Sequence, residues 1–273
     1  MSKNIRLIID NLHDEAEVTA TSQALPSSNT QRSGRSYVWR STGLGEQVLT
    51  ASFETARFIN AGVLLDHNLS LTASIRLELL VDGDVVYDSG DVSPGEIKPL
   101  GVWIAGVDPW GQSDLSTLPT QQYVVWLPEL TLCSEYRITI NDPENPDGYI
   151  QIGRIFSGEY YSPEFNPEYG LTLEWQDFSE NVRTESGSLR SIGTGTARLV
   201  SFELPRNKQR GVGELTQLMM SVGREKDVYI SIYPERGGLL ESEHAFVARR
   251  RNNYAHTHSF YGNWQTALQF EEV

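Results

Sequence analysis

The stretch VLTASFETARFINAGVLLDHNLSLTASIRLELLVDGDVVYDSG, residues 48–90, decides the fold. Phe58, Ile59, Val63, Leu64 and Leu65 form an apolar run, and His67-Asn68-Leu69-Ser70 then turns the chain. Ala73, Ile75, Leu77 and Leu79 alternate with Ser74, Arg76 and Glu78. Successive side chains of a strand point to opposite faces, so this spacing gives one apolar face and one polar face. Asp82-Gly83-Asp84 follows, and Asp-Gly supplies the positive φ angles that a tight hairpin needs. Val85, Val86 and Tyr87 return, and Ser89-Gly90 ends the strand. One buried face and one wet face mark an antiparallel sheet rather than a parallel α/β core.

Composition bounds the rest. A chain of 273 residues holds one large or two ordinary domains. At 39% hydrophobic it can bury substantial cores, which excludes wholesale disorder. A net charge of -14 repels phosphate backbones, so nucleic acid is not an expected partner; solubility is the simplest use of that charge. Cys133 is the single cysteine, so neither an intrachain disulfide nor a cysteine metal cluster can form. Its apolar setting predicts a buried, inert thiol. MSKNIRLIID, broken by Arg6 and Asp10, does not read as a signal peptide, and no apolar run reaches bilayer length. The expectation is a chain made in a cytosol, with no membrane insertion.

Along the chain, Ile5–Ile9 predicts an edge strand, residues 10–35 a long polar surface loop, and Trp39 a core aromatic. Residues 91–122, rich in Pro and Gly, read as a long connecting loop that carries Trp103 and Trp110. Packing on the core is the first use of such rings, and an exposed contact is the second. Tyr123–Leu132 and Tyr136–Ile140 predict two strands separated by a turn at Ser134-Glu135. Residues 141–148, NDPENPDG, form a dense turn cluster, and Tyr149–Phe156 alternates again. Pro163 and Pro167 mark a boundary, giving domains 1–165 and 166–273. In the second, Leu215, Leu218, Met219 and Val222 make a one-sided helical stripe over 213–222. Gly223 stops it. Residues 244–251, 256–261 and 264–271 predict a closing meander.

Two resemblances attach to these residues. Pro26, Asn29, Trp39-Arg40-Ser41, Phe58-Ile59-Asn60-Ala61-Gly62-Val63 and His67-Asn68-Leu69-Ser70 resemble a discoidin-type, galactose-binding-like jelly roll. The run HNLS…ASIRLELL…DGDVVYDSG is similar to the jelly-roll segment of tail-tip proteins of long-tailed bacteriophages, over roughly residues 22–165. The order strand, helix, strand, meander, with the ending FVARRRNNYAHTHSFYGNWQTALQFEEV, resembles the small β-rich domain that such tails use in rings. The resemblance implies a distal-tail or baseplate structural protein of the virion, assembled in the host cytoplasm. Copies of itself in a ring and other tail proteins would be its partners.

No catalytic constellation stands out, and the chain is not expected to be an enzyme. There is no G-x-S-x-G, and Gly193-Thr194-Gly195 lacks the spacing of a phosphate loop. His256 and His258 share one side of a strand, but zinc needs about four ligands, and only His244 and Glu243 lie near in sequence. Asp82, Asp84, Asp88 and Asp91 suggest calcium, yet the hairpin explains the first two and no EF-hand pattern is present. Neither metal nor cofactor is therefore expected. Arg249-Arg250-Arg251 is the one basic run; it is either a solvated strand end or a subunit contact, with Arg250 on the face opposite Arg249 and Arg251.

The expected fold is mainly β: an antiparallel jelly-roll sandwich followed by a smaller β-rich domain with one short helix. A tail-tip structural role comes first. The alternative is a carbohydrate-binding module for host cell-surface glycans, with Trp110, then Trp103, as the stacking platform.

Overall fold

In the computed structural model, residues 4–70, 72–94, 121–193, 195–236 and 238–273 are described. The chain divides into two compact units. The first comprises residues 1–161 with 231–245, the second residues 162–230 with 246–273. Segment 231–245 belongs to the first unit although it lies deep in the second half of the sequence.

The first unit is an antiparallel β-sandwich. Its strands are β1 (Arg6–Ile8), β2 (Glu17–Ala20), β3 (Trp39–Arg40), β4 (Gln47–Leu65), β5 (Ser74–Val81), β6 (Asp84–Asp88), β7 (Gln122–Asn141), β8 (Gln151–Ile152), β9 (Ile155–Gly158) and β10 (Tyr160–Tyr161). One sheet runs β2-β4-β7-β5-β6, with β9 pairing to β4; β3 and β8 form a separate pair, and β1 pairs with β10. The alternation in β5 does what it predicts. Ile75, Leu77 and Leu79 are buried, and they join Leu49, Ile138, Ile140 and, from the β3–β8 pair, Trp39 and Ile152 in one core. Val81 pairs with Asp84, leaving a two-residue turn in which Asp82 has φ 52° and Gly83 φ 93°. Both positive values belong to the turn that matches strand twist.

Two expectations are corrected here. β7 is one strand of 20 residues, not two. Ser134 does not turn the chain, because its hydroxyl ties the neighbouring hairpin, donating to Leu80 O at 3.3 Å and accepting from the Asp82 N–H at 3.2 Å. Tyr149–Phe156 is two short strands, not one. At Gly153 a Cβ would lie 2.7 Å from the Asp66 Cβ, so only glycine lets the chain cross from the β3–β8 pair to β4.

Residues 10–35, read as a surface loop, are built into the core. Leu12–Glu15 and Ser27–Gln31 are 3-10 turns, and His13 and Thr30 are buried. Thr30 Oγ1 donates to Ser27 O at 2.7 Å, so it accepts from His13 Nε2 at 2.8 Å. His13 Nδ1 then accepts from the Tyr136 hydroxyl, which in turn accepts from Ser157 Oγ at 3.4 Å. The chain of donors is complete only with a neutral imidazole. Beside it, Arg154 Nη2 grips Asp14 Oδ2 at 2.6 Å. Burial, with the Arg154 charge, pulls the His13 pKa down to about 3.

The second unit is β-rich around one main helix. Its elements are β11 (Thr172–Asp177), β12 (Glu180–Arg183), β13 (Leu189–Ile192), β14 (Thr196–Lys208), α1 (Gln209–Val222), β15 (Val228–Ser231), β16 (Ala245–Arg250), β17 (His256–Phe260) and β18 (Asn263–Glu272). The short α2 (Gly238–Glu243) lies in the segment that groups with the sandwich. The second unit's sheet runs β15-β16-β18-β14-β11, with β17 on β18, while β12 and β13 pair only with each other. α1 begins four residues before its apolar stripe and buries Val212, Leu215, Met219 and Val222. Gly223 ends it at φ 62°, its N–H bonded to Met219 O. Arg198, Val200, Phe202 and Leu204 form the buried face of β14. Arg198 is 1% exposed and meets Glu272 through Nε–Oε2 at 2.9 Å and Nη2–Oε1 at 2.6 Å, under the Phe246 ring at 4.5 Å.

Two measurements follow. His13 has a folded pKa far below its unfolded value, so only the unfolded chain takes up its proton below pH 6.5. Stability should be insensitive to this group above pH 6.5 and fall as pH drops towards about 3, by about 1.4 kcal/mol per pH unit. Urea denaturation between pH 7 and 5 should show that slope shrink by one proton in His13→Gln. In the second unit, Glu272→Ala should cost about 3 to 5 kcal/mol, because it strands a buried guanidinium. The double variant Arg198→Met/Glu272→Leu should recover most of that loss.

Candidate functional site

The sequence pattern puts Asx-rich turns after β4 and after β7, and the fold ties them together. Asp142 is fully buried and accepts from the Ser70 N–H at 2.8 Å, the Ser70 hydroxyl at 2.6 Å and Asn145 Nδ2 at 2.9 Å. Asn145 donates its other proton to Asn68 O at 2.9 Å. Asn68 donates to Asp147 Oδ2 at 2.8 Å and Tyr149 O at 3.0 Å, and its Oδ1 accepts from the Gln151 N–H at 2.8 Å. From β3, Arg40 Nη2 donates to Gln151 Oε1 at 2.8 Å and lays its guanidinium 4.0 Å from the centre of the Tyr149 ring. Next to them His67 is buried, and its Nδ1 accepts from the Leu69 N–H at 3.3 Å. Burial lowers its pKa to about 4, so it stays neutral at pH 7.

The result is a rigid loop end. A half-buried tyrosine ring, stacked on a cation, is bordered by the half-buried Asn68 and Gln151 amides and the exposed Asp147 carboxylate. Amides and a carboxylate offer both donors and acceptors, and an aromatic face accepts apolar C–H surface. That combination suits a polyhydroxylated ligand. The sandwich interior is no alternative site. Its apolar cavity, between Ile59, Ile75, Tyr136 and Ile138, has a volume of about 10 Å³, no more than one water. Sequence reading found these turns but gave them no function. The available signal was two Asx clusters flanking strands of one sheet.

The other candidates fall as follows. Trp103 and Trp110 lie outside the described residues. Asp88 is committed to Arg76, which donates to it at 2.9 Å and 2.6 Å and holds its carboxyl below the usual range. His256 and His258 do share one side of β17, and both rings lie against Trp264, at 5.0 and 4.4 Å between centroids. Among the described residues no group of three or more His, Cys, Asp or Glu side chains is placed to hold a metal. Likewise, no described helix is long and apolar enough to cross a membrane. The arginine run separates. Arg249 Nε pairs with Asp227 Oδ1 at 2.8 Å, Arg251 Nε lies 3.8 Å from Glu271 Oε2, and Arg250 is buried.

The second unit also exposes apolar hairpins. Every residue of β12 and β13 is exposed, with Val182, Leu189 and Ile192 among them. Their register puts Glu180, Val182, Arg190 and Ile192 on one face. The β17–β18 hairpin turns at Tyr261-Gly262, with Phe260 and Tyr261 in solvent.

No family model matches the chain, and neither does any curated protein. Solved structures do, and carbohydrate-binding modules are among them. The family 32 module of Clostridium perfringens NanJ, in complex with galactose, is 14% identical, with a TM-score of 0.40, over 57% of this chain and 99% of that one. A Streptococcus pneumoniae fucose-binding module is 8% identical, with a TM-score of 0.39, over 56% and 99%. A chitosan-binding module from a Paenibacillus sp. chitosanase/glucanase is 11% identical, with a TM-score of 0.38, over 55% and 99%.

His67 makes this site's pH behaviour testable. Its folded pKa of about 4 lies below the unfolded value, so its contribution is intact above pH 6.5 and declines as pH falls towards about 4. Titration by NMR should find its imidazole uncharged at pH 5.5; a protonated His67 at that pH would contradict the packing described.

Proposed function

We propose that this chain is a recognition and assembly protein of the phage tail-tip kind, not an enzyme. Its β-sandwich takes a carbohydrate, and its β-rich unit joins it to neighbouring subunits. The recognition half rests on the loop end. Arg40, Asn68, Tyr149 and Gln151 are held by side chains of their own turns, so little ordering remains for a ligand to impose. A cell-surface glycan is the ligand class that this surface fits.

The assembly half rests on the β12–β13 hairpin. A two-stranded ribbon with no buried residue is marginal in water, and three exposed aliphatic side chains on it add nothing to its stability as it stands. Contact with another subunit would bury them. The sequence resemblance of both halves to tail-tip proteins supports the same reading and supplies the setting, a ring of copies around a tail axis.

The two halves are tested separately on the full chain. On a glycan array the wild type should bind at least one bacterial surface glycan, and Tyr149→Ala should weaken that binding at least tenfold with its melting temperature nearly unchanged. Absence of any glycan binding overturns the recognition half. By sedimentation and particle imaging, the wild type should assemble, alone or with tail partners, and Val182→Asp/Ile192→Asp should not, while circular dichroism stays unchanged. Assembly of the double variant at wild-type level overturns the hairpin's role.

A further inference from the structure

Arg250 is a buried cation with no carboxylate partner among the described residues. It sits at the end of β16, opposite Phe270 of β18, on the same strand face as the buried Phe246 and Ala248. It is 7% exposed, and its buried Nε and Nη1 have no hydrogen-bond acceptor among the described residues. The Tyr254 ring lies 5.9 Å from its Cζ. That tyrosine is itself fixed: Thr216 of α1 donates to Val212 O at 2.7 Å, so it accepts from the Tyr254 hydroxyl at 3.1 Å. The nearby charge is Arg224, just past α1, which with burial disfavours the charged form of Arg250.

The contrast with neighbouring arginines is direct. Arg198 has Glu272, and Arg249 has Asp227. An arginine cannot escape burial by losing its proton, as a lysine can. A buried guanidinium without an acceptor therefore costs stability for as long as it stays unpaired. The positive charge of the exposed Arg224 adds to that cost and to the attraction for an anion.

We propose that Arg250 is a receiving site for an oxyanion. The planar fork of a guanidinium matches a carboxylate, sulfate or phosphate through paired N–H donors. Two sources share this chemistry: a free inorganic oxyanion, or the carboxylate of an acidic side chain on a second copy of this chain, whose net charge is -14. The site involves neither the sandwich loop end nor the β12–β13 hairpin, and it stands if either half of the proposed function fails.

The experiment compares wild type, Arg250→Met and Arg224→Ala as full chains, in sodium sulfate against sodium chloride at matched ionic strength. Arg250→Met should melt at or above the wild-type temperature in chloride, since it removes an unpaired buried charge. The wild type should gain a saturable rise in melting temperature with sulfate. Arg250→Met should lack it, and Arg224→Ala should need about tenfold more sulfate, one charge fewer near the site. Sedimentation in sulfate-free buffer separates the sources. If wild type associates, Arg250→Met does not, and sulfate dissolves the association, the anion is a neighbour's carboxylate. If wild type stays monomeric but responds to sulfate, the anion is free. A lower melting temperature for Arg250→Met in chloride, or equal sulfate responses in wild type and Arg250→Met, overturns the proposal.

Discussion

The first unit depends on one backbone ladder, between β4 and β7. It runs from Gln47 opposite Ile140 to Leu65 opposite Gln122, with shifts in register between Ser52 and Arg57 and between Ile59 and Ala61. β2 and β9 take the other edge of β4, near its two ends, and β5 takes the other edge of β7. The shifts let strands this long bend, because a bulge adds local twist and frees a residue from pairing. Residues Glu54–Phe58 are exposed at the first of them, while both ends of β4 return to the core. Without those irregularities a single pair of strands could not serve both the end that carries β2 and the end that carries β9.

Buried polar groups show what the fold can settle by itself. Asp142 is closed by donors from Ser70 and Asn145, His13 by Thr30 and Tyr136, and Arg198 by Glu272. In each case the cost of desolvation is met by partners whose positions the strands or turns already determine. Such networks select one arrangement, since shifting any strand by one residue breaks them. Arg250 departs from this rule within the same sheet, which is why its lack of an acceptor among the described residues says more than its exposure.

Legibility in the sequence followed the strength of local periodicity. β5, the Asp82-Gly83 turn and the stripe of α1 were all readable, because each is determined by spacing within a few residues. The start of α1 at Gln209 was not, since Gln209, Arg210 and Gly211 carry no apolar side chain and Gly211 is a weak helix former. β7 was divided at Ser134-Glu135 because polar residues read as a turn, although both are half-buried within one continuous strand and Ser134 bonds the β5–β6 hairpin. Residues 10–35 looked like a surface loop because the side chains that bury there are His13, Ser27 and Thr30, whose partners are supplied by tertiary contact. The loop-end site lay in plain view as Asn68, Asp142, Asn145 and Tyr149. Nothing in the order of residues showed that turns more than seventy positions apart would share hydrogen bonds. The placement of 231–245 with the sandwich is non-local in the same way.

The two units also differ in where their free energy is already spent. At the loop end of the sandwich, Asn68 and Asp142 use nearly all of their hydrogen-bonding capacity on neighbouring turns, so Tyr149 and Arg40 are presented by a frame with little freedom left to lose. A ligand meeting that surface gains contacts without paying much ordering entropy. In the second unit, β12 and β13 hold each other through backbone pairing alone, and their apolar side chains remain in water. Burial of Val182 and Ile192, which share one face, by a partner would add the hydrophobic term that the isolated ribbon lacks, at about 25 cal/mol per Å² of apolar surface covered. A preorganised surface suits reversible recognition of a small, polar target. A marginal ribbon that gains its stability only on contact suits a joint between subunits.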